Sequence, residues 1–291
     1  MTVRPTQLPR LRRQTLRHLR DPESSLRANT SRGTAPGLDA LASHLEVADL
    51  FWVGQDMTAL AMHSGSQLAA TRWATADRPS PCGLLYWDEG VGHVDANGVQ
   101  VPVEACVWGP HETGLLLWLL MSRSRLASEV ARIGRYKVAE EAIPPLIPIC
   151  AATFPVTAEP APLAEVDPQL PQPVVAALAA AWLLMQQPQL VDRTQERAEK
   201  ATARAYARDR LPSPEVTIVD LRRQYTPQDR DPDAGSDLRT YRNRWIVSGH
   251  WRNQAHGPER SLRRKTWVPA HVKGPEGAPL LPTEKVNVWR R

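Results

Sequence analysis

Cysteine and long apolar runs are scarce in this chain, and each scarcity closes off a class of protein. Among 291 residues there are 3 cysteines. Cys82, Cys106 and Cys150 are an odd, widely spaced set with no CxxC pair and no Cys/His cluster of zinc-ligand spacing. That excludes a disulfide framework and a structural zinc site, and fits a reducing compartment. No run approaches the roughly 20 uninterrupted apolar residues of a spanning helix, the longest (114–121 and 174–185) being core-sized. The basic N-terminus lacks the apolar stretch and small-residue cleavage site of a secretory signal. The expected location is the cytoplasm, with no membrane partner.

The short catalytic signatures are missing as well. No Walker-type phosphate loop, GxGxxG, GxSxG elbow or HExxH occurs. Pro81-Cys82-Gly83-Leu84-Leu85 fails as a deaminase PCxxC because Leu85 stands where the second cysteine belongs, and His63 is followed by Ser64-Gly65 rather than x-Glu. His111 beside Glu112, and His93 two residues before Asp95, are isolated pairs that read as loop residues. No metal and no cofactor are assigned. The thiols sit in apolar surroundings, where they are packing groups.

What is present is sorted charge. The net charge is +5, but residues 1–32 carry +6 and residues 239–291 carry +9, which leaves the middle at −10. Basic ends around an acidic body point to a polyanionic partner docking at the ends; the alternative is that both ends fold back on the body.

Residues 1–37, rich in Arg, Pro and Ser, read as a basic flexible arm with a turn or two of helix before Asp21-Pro22. Residues 38–143 form an α+β body. Leu38, Leu41, Leu45 and Ala48 recur at helical spacing with Asp39 as a cap, and a second helix spans 56–67. Between Trp73 and Trp108 short apolar runs alternate with turn residues, a sheet signature in which Asn97-Gly98 is a type I′ hairpin turn. The run 114–121 is strand or short helix. Residues 144–173 are a Pro-rich linker or loop. Residues 174–225 comprise a buried helix to Gln187-Pro188, a second helix over 190–210 whose charged face is solvated, and a strand over 216–221. Residues 226–238 are an acidic loop. The class is α+β: a mixed helical and antiparallel-sheet body with a small basic antiparallel β segment at the C-terminus, 239–291.

In that last segment basic residues interleave with tryptophan. Arg244, Arg252, Arg263, Arg264, Lys265 and Lys273 are the candidate phosphate contacts, and Trp245, Trp251, Trp267 and Trp289 are either base-stacking platforms or the core of the small sheet, the core reading being favoured. One sheet face is expected to be apolar and the other cationic. The string WIVSGHWRNQAHGPERSLRRKTWVPAHVKGPEG, Trp245 to Gly277, resembles a segment near the end of uncharacterised proteins of actinobacteria, their plasmids and their phages. FWVGQDMTALA (51–61) and WLLMQQP (182–188) extend the likeness. The resemblance implies a mobile-element setting and transfers no catalytic or binding residue.

Three functions follow. The leading one is a nucleic-acid-associated accessory protein, with DNA or RNA as partner and the acidic body holding a protein partner or a homo-oligomer interface. A second is a protein-binding regulator working through the acidic body. A third is metal-independent RNA cleavage, which needs a general base, a general acid and a cation; His250, His271, Arg252 and Lys273 supply those types, each His–cation pair on one sheet face through period-two spacing.

Overall fold

Strand β1 (Asp49–Val53) is the hinge of the architecture, because both of its neighbours run parallel to it: β2 (Gly83–Trp87) on one side and β9 (Glu215–Leu221) on the other. The computed structural model describes residues 3–28, 35–68, 74–96, 98–112, 114–133, 142–155, 170–221, 245–269 and 271–273, and divides into two units, Met1–Arg222 and Arg223–Arg291. In the first unit, β5 (Ala105–His111), β6 (Gly114–Ser122) and β7 (Leu146–Pro155) add antiparallel beyond β2, and β8 (Val191–Arg197) adds antiparallel beyond β9. The result is a seven-stranded mixed sheet in the order β7-β6-β5-β2-β1-β9-β8. The molecule is α+β, and 114–121 is strand.

Helices cover both faces of this sheet, which is why β2 and β6 are buried at every position rather than at alternate ones. Helix α1 (Leu8–Arg20) and α3 (Ala35–Val47), joined through the single turn α2 (Ser25–Ala28), supply Leu8, Leu19, Leu38, Leu41 and Leu45 from α1 and α3 to a core with Leu50, Leu84, Tyr86, Val107, Trp118 and Val216. On the other face lie α4 (Gln55–Gly65), the crossover between β1 and β2, and α6 (Gln172–Met185). There Phe51 stacks on Trp108 at 5.9 Å, and Trp108 meets Trp182 of α6 edge-on at 5.1 Å. Every residue of α6 from Val174 to Met185 is buried, as a helix apolar all round must be. Two glycines permit close approach. A Cβ at Gly65 would stand 2.8 Å from the Ala176 backbone at the α4–α6 crossing, and one at Gly83 would enter the Trp108 indole at 2.1 Å. The strands β3 (Gly92–Ala96) and β4 (Val99–Val103) form a separate hairpin whose register, Ala96 opposite Val99, and whose Gly98 φ of +80° fit a two-residue turn; Asn97 lies outside the described residues. Helix α5 (Arg123–Ile133) follows β6 and is capped by Ser122, whose Oγ accepts the Arg125 N–H at 3.1 Å.

Four expectations are corrected here. Among its described residues, the segment 1–37 is not a free arm: α1 is docked by Leu8 and Leu19, both fully buried, and by the buried Arg12. Its charge is partly returned to the body, since Arg13 pairs with Asp209 at 2.5 Å, Arg20 with Glu46, and Arg27 with Asp39 at 2.5 Å. Asp39 accordingly lies inside α3 rather than capping it. The span 144–173 is not wholly loop, because β7 is an edge strand. Pro148 is tolerated at a register shift where Cys150 faces Leu119 and Pro148 faces Leu120, so Ile149 is the extra bulged residue. The helix expected over 190–210 is a strand, β8, followed by the shorter α7 (Lys200–Arg208): the open edge of β9 takes up Val191–Arg197, and the polar residues there have no apolar face to set a helical phase. The spans 38–143 and 174–221 share one sheet, since β9 lies directly beside β1. The acidic stretch 226–238 lies outside the described residues.

Candidate nucleic-acid interface

The second unit holds four short strands: β10 (Trp245–Val247), β11 (His250–His256), β12 (Leu262–Val268) and β13 (His271–Lys273). Strand β11 pairs antiparallel with β12, and β10 with β13. Both ladders keep one register, with Trp245 opposite Lys273 and His250 opposite Val268, so the four strands make a single antiparallel ribbon interrupted midway. The turn at the far end runs from Gly257 to Ser261. Gly257 has φ +78°, and Glu259 and Arg260 take the left-handed conformation at φ +50° and +55°.

Register assigns the faces. Directly opposed residues share a face, and alternate residues along a strand share it too. Trp251, Asn253, Ala255, Arg263, Lys265 and Trp267 lie on one face; Arg252, Gln254, Arg264 and Thr266 lie on the other with His250 and His256. Arg252 and Arg264 are diagonal neighbours on their face. Arg263 and Lys265 are alternate residues on theirs, so the run Arg263-Arg264-Lys265 is split between the two faces. The expectation of one apolar and one cationic face is therefore corrected: cations occur on both faces.

Arg252, Arg260, Arg263 and Arg264 are exposed, and Lys265 is half-buried. Arg263 is held by its own turn, its Nη1 donating to the carbonyls of Arg260 at 2.5 Å and Leu262 at 3.2 Å. Trp267 is buried at 3 % exposure and meets Trp251 edge-on at 5.2 Å, which assigns that pair to holding the ribbon together rather than to base stacking. Such packing matters because a two-stranded ribbon alone is marginal in water. Arg244 and Trp289 lie outside the described residues. Lys273 stands opposite Trp245 at the base of the ribbon.

His250 is opposite Val268 and shares a face with Arg252, whereas His271 is opposite Val247 on the other ladder. The two histidines are not cross-strand partners. His250 engages the Ser248 carbonyl through Nδ1 at 3.2 Å.

No family model and no curated protein matches the chain. The reading of the site therefore stands on its geometry.

Sequence reasoning missed one feature of the first unit. Where β2, β1 and β9 end, in the position that open sheets with parallel strands use for ligands, the chain places Asp88 and Glu89 after β2 and Asp220 in β9, either side of Gly54. The Gly54 N–H donates to the Val219 carbonyl at 3.2 Å and the Asp88 N–H to the Val53 carbonyl at 3.0 Å, so both aspartates flank the start of α4. A Cβ at Gly54 would fall 1.9 Å from Asp220 Oδ1. Asp192 stands directly opposite Asp220 on β8. Burial, then the charges of Glu89 and Asp220, hold the Asp88 carboxyl above its ordinary range. Among the described residues no three such side chains converge as a metal site. Beside them Glu104, 7 % exposed, accepts from the Tyr86 hydroxyl at 3.3 Å and the Ser122 N–H at 2.8 Å; burial and then Glu104 push the Tyr86 phenol up. Asp88 and Glu89 stand more than a hundred residues before Asp220 in sequence, which hid the cluster until β9 was seen beside β1.

Proposed function

We propose that the protein is a nucleic-acid-associated accessory protein that grips a phosphate backbone through its second unit, in the mobile-element or actinobacterial setting implied by its C-terminal segment. The observation that supports this is the ribbon's charge and shape. Between Trp245 and Lys273 there are six Lys and Arg against one carboxylate, Glu259. Four of those arginines, Arg252, Arg260, Arg263 and Arg264, are exposed. With strands about 5 Å apart, a two-stranded ribbon is narrow enough for the roughly 12 Å major groove of B-DNA. Cations on both faces meet phosphates on both walls. The deep, narrow major groove of A-form RNA does not admit it, so the shape favours duplex DNA.

The test is fluorescence anisotropy with a labelled DNA duplex, comparing the wild type with Arg252→Ala/Arg264→Ala. Each lost phosphate contact lowers the slope of log affinity against log salt by roughly 0.9 on B-DNA. The double variant is expected to lose about 1.8 of slope, with unlabelled duplex DNA competing better than duplex RNA. Wild-type binding by the variant contradicts the reading.

A further inference from the structure

Burial separates the two faces of the ribbon. On one, Trp267 is 3 % exposed and Lys265 is half-buried. A two-stranded ribbon has too few side chains of its own to cover an indole that fully, so this face is closed at its tryptophan end. Only Asn253 and Arg263 are exposed on it, and Arg263 reaches past the edge toward a phosphate wall. The other face is open along its length: His250, Arg252, His256, Leu262 and Arg264 are exposed, and no carboxylate stands on it. A ribbon lying in a groove turns one face to the groove floor, and the open face is the one available for that.

The middle of the open face is a square of four residues. Arg252 stands opposite Thr266 and Gln254 opposite Arg264, so the two cations occupy one diagonal and two uncharged hydrogen-bonding side chains occupy the other. Diagonal neighbours on an antiparallel pair are about 7–8 Å apart. Each strand thus carries one arginine, whose long stem reaches toward the wall on its own side of a groove roughly 12 Å wide. Gln254 and Thr266 are left between the walls, over the base edges.

The chemistry of Gln254 suits that place. A neutral amide releases no counterion at a phosphate, but it presents a donor and an acceptor side by side, which matches the N7 acceptor and N6 amino group of adenine in the major groove. Among the described residues its amide makes one contact, Nε2 to the Ala255 carbonyl at 3.5 Å, the outer limit of a hydrogen bond. Spacing agrees as well. Alternate residues of a strand recur at about 6.8 Å, two base steps of about 3.4 Å, so a ribbon running along the groove keeps phase with the bases it passes.

We infer that Gln254 reads an adenine in the major groove of duplex DNA, with Thr266 beside it, while Arg252 and Arg264 hold the open face down on the two phosphate walls. The protein then selects a preferred DNA sequence instead of accepting any duplex. This rests on the ribbon reading and adds base recognition to it.

The probe is a pool of labelled DNA duplexes with a randomised centre, recovered after binding to the full-length protein at moderate salt. The wild type should enrich a site with a fixed adenine, and changing that base should weaken binding about 5- to 150-fold. Gln254→Ala should lose the preference at that position and keep the wild-type salt slope, because no charge is removed. Gln254→Glu should move the preference toward cytosine, whose N4 amino group donates to a carboxylate; a misfolded protein makes no such move. Asn253→Ala, on the closed face, should select the wild-type site. A wild type that binds the pool but enriches no sequence overturns this inference and leaves the ribbon reading standing. Enrichment of the same adenine by Gln254→Ala, with or without its loss in Asn253→Ala, overturns it too. A wild type that binds no duplex at low salt overturns both readings.

Discussion

Arg12→Met removes a guanidinium while keeping an apolar stem of similar length, and so measures whether the basic N-terminal segment is a docked element. Arg12 is 8 % exposed, its Nη1 donates to the Ala48 carbonyl at 2.9 Å, and its Nη2 donates to the Tyr206 hydroxyl at 3.0 Å. Hydrogen bonds from a charged donor contribute about 1.5–3 kcal/mol each. Part of that is offset because methionine needs no desolvation of charge, which sets the expected loss at about 2–4 kcal/mol. For a unit of this size each kcal/mol lowers Tm by roughly 2–4 °C, so a fall of about 4–16 °C is expected. Urea unfolding followed by tryptophan fluorescence should show a lower midpoint with an unchanged m-value. Arg10→Met, on the solvent side of the same helix, should stay within about 0.5 kcal/mol of the wild type. If Arg12→Met is equally silent, α1 is not held as described and the reasoning fails.

At the α4–α6 crossing, Gly65→Val should destabilise by about 2–3 kcal/mol, because the added carbons meet backbone atoms of Ala176 that cannot swing aside; an unchanged urea midpoint would contradict this packing. Burial holds His44, whose ring lies over Gly109 and engages the Pro110 carbonyl at 2.8 Å, below its ordinary pKa, and burial and then Arg123 lower His18 likewise. Their folded pKa values lie below the unfolded ones, so the unfolded chain binds more protons and stability should fall as pH drops below about 6.5; His44→Asn should flatten that fall in urea midpoints taken from pH 7.5 to 5.5. Asp88→Asn relieves repulsion from Glu89 and Asp220 and should raise stability at neutral pH by less than about 1 kcal/mol, the opposite sign to most substitutions. Burial raises the Cys106 thiol well above its usual range and Cys150 to about 11, so a thiol reagent at pH 7.5 should modify both slowly in the native protein and promptly in urea.

The sequence was legible where burial on two faces leaves its own mark. The continuous apolar runs Gly83–Trp87 and Gly114–Ser122 read as buried strands once sheet is chosen, and Val174–Met185 has the length and composition of a helix wrapped by other elements. It was illegible where a partner distant in sequence decides. Val191–Arg197 is polar at nearly every position and becomes a strand only because β9 offers an edge. Leu8, Leu11, Leu16 and Leu19 were too few among eight arginines to mark a docked helix, yet they lie over the sheet while Asp209, Glu46 and Asp39 take up part of the charge. In the candidate site, the basic and aromatic residues were visible in sequence. Their assignment to faces was not, because it depends on which residue of β11 stands opposite which of β12.

The most direct measurement is the affinity of the full-length wild type for a DNA duplex as salt is raised. Four exposed ribbon arginines alone predict a log–log slope of roughly −3.6 or steeper. A flat salt dependence, or no binding at low salt, would contradict the account.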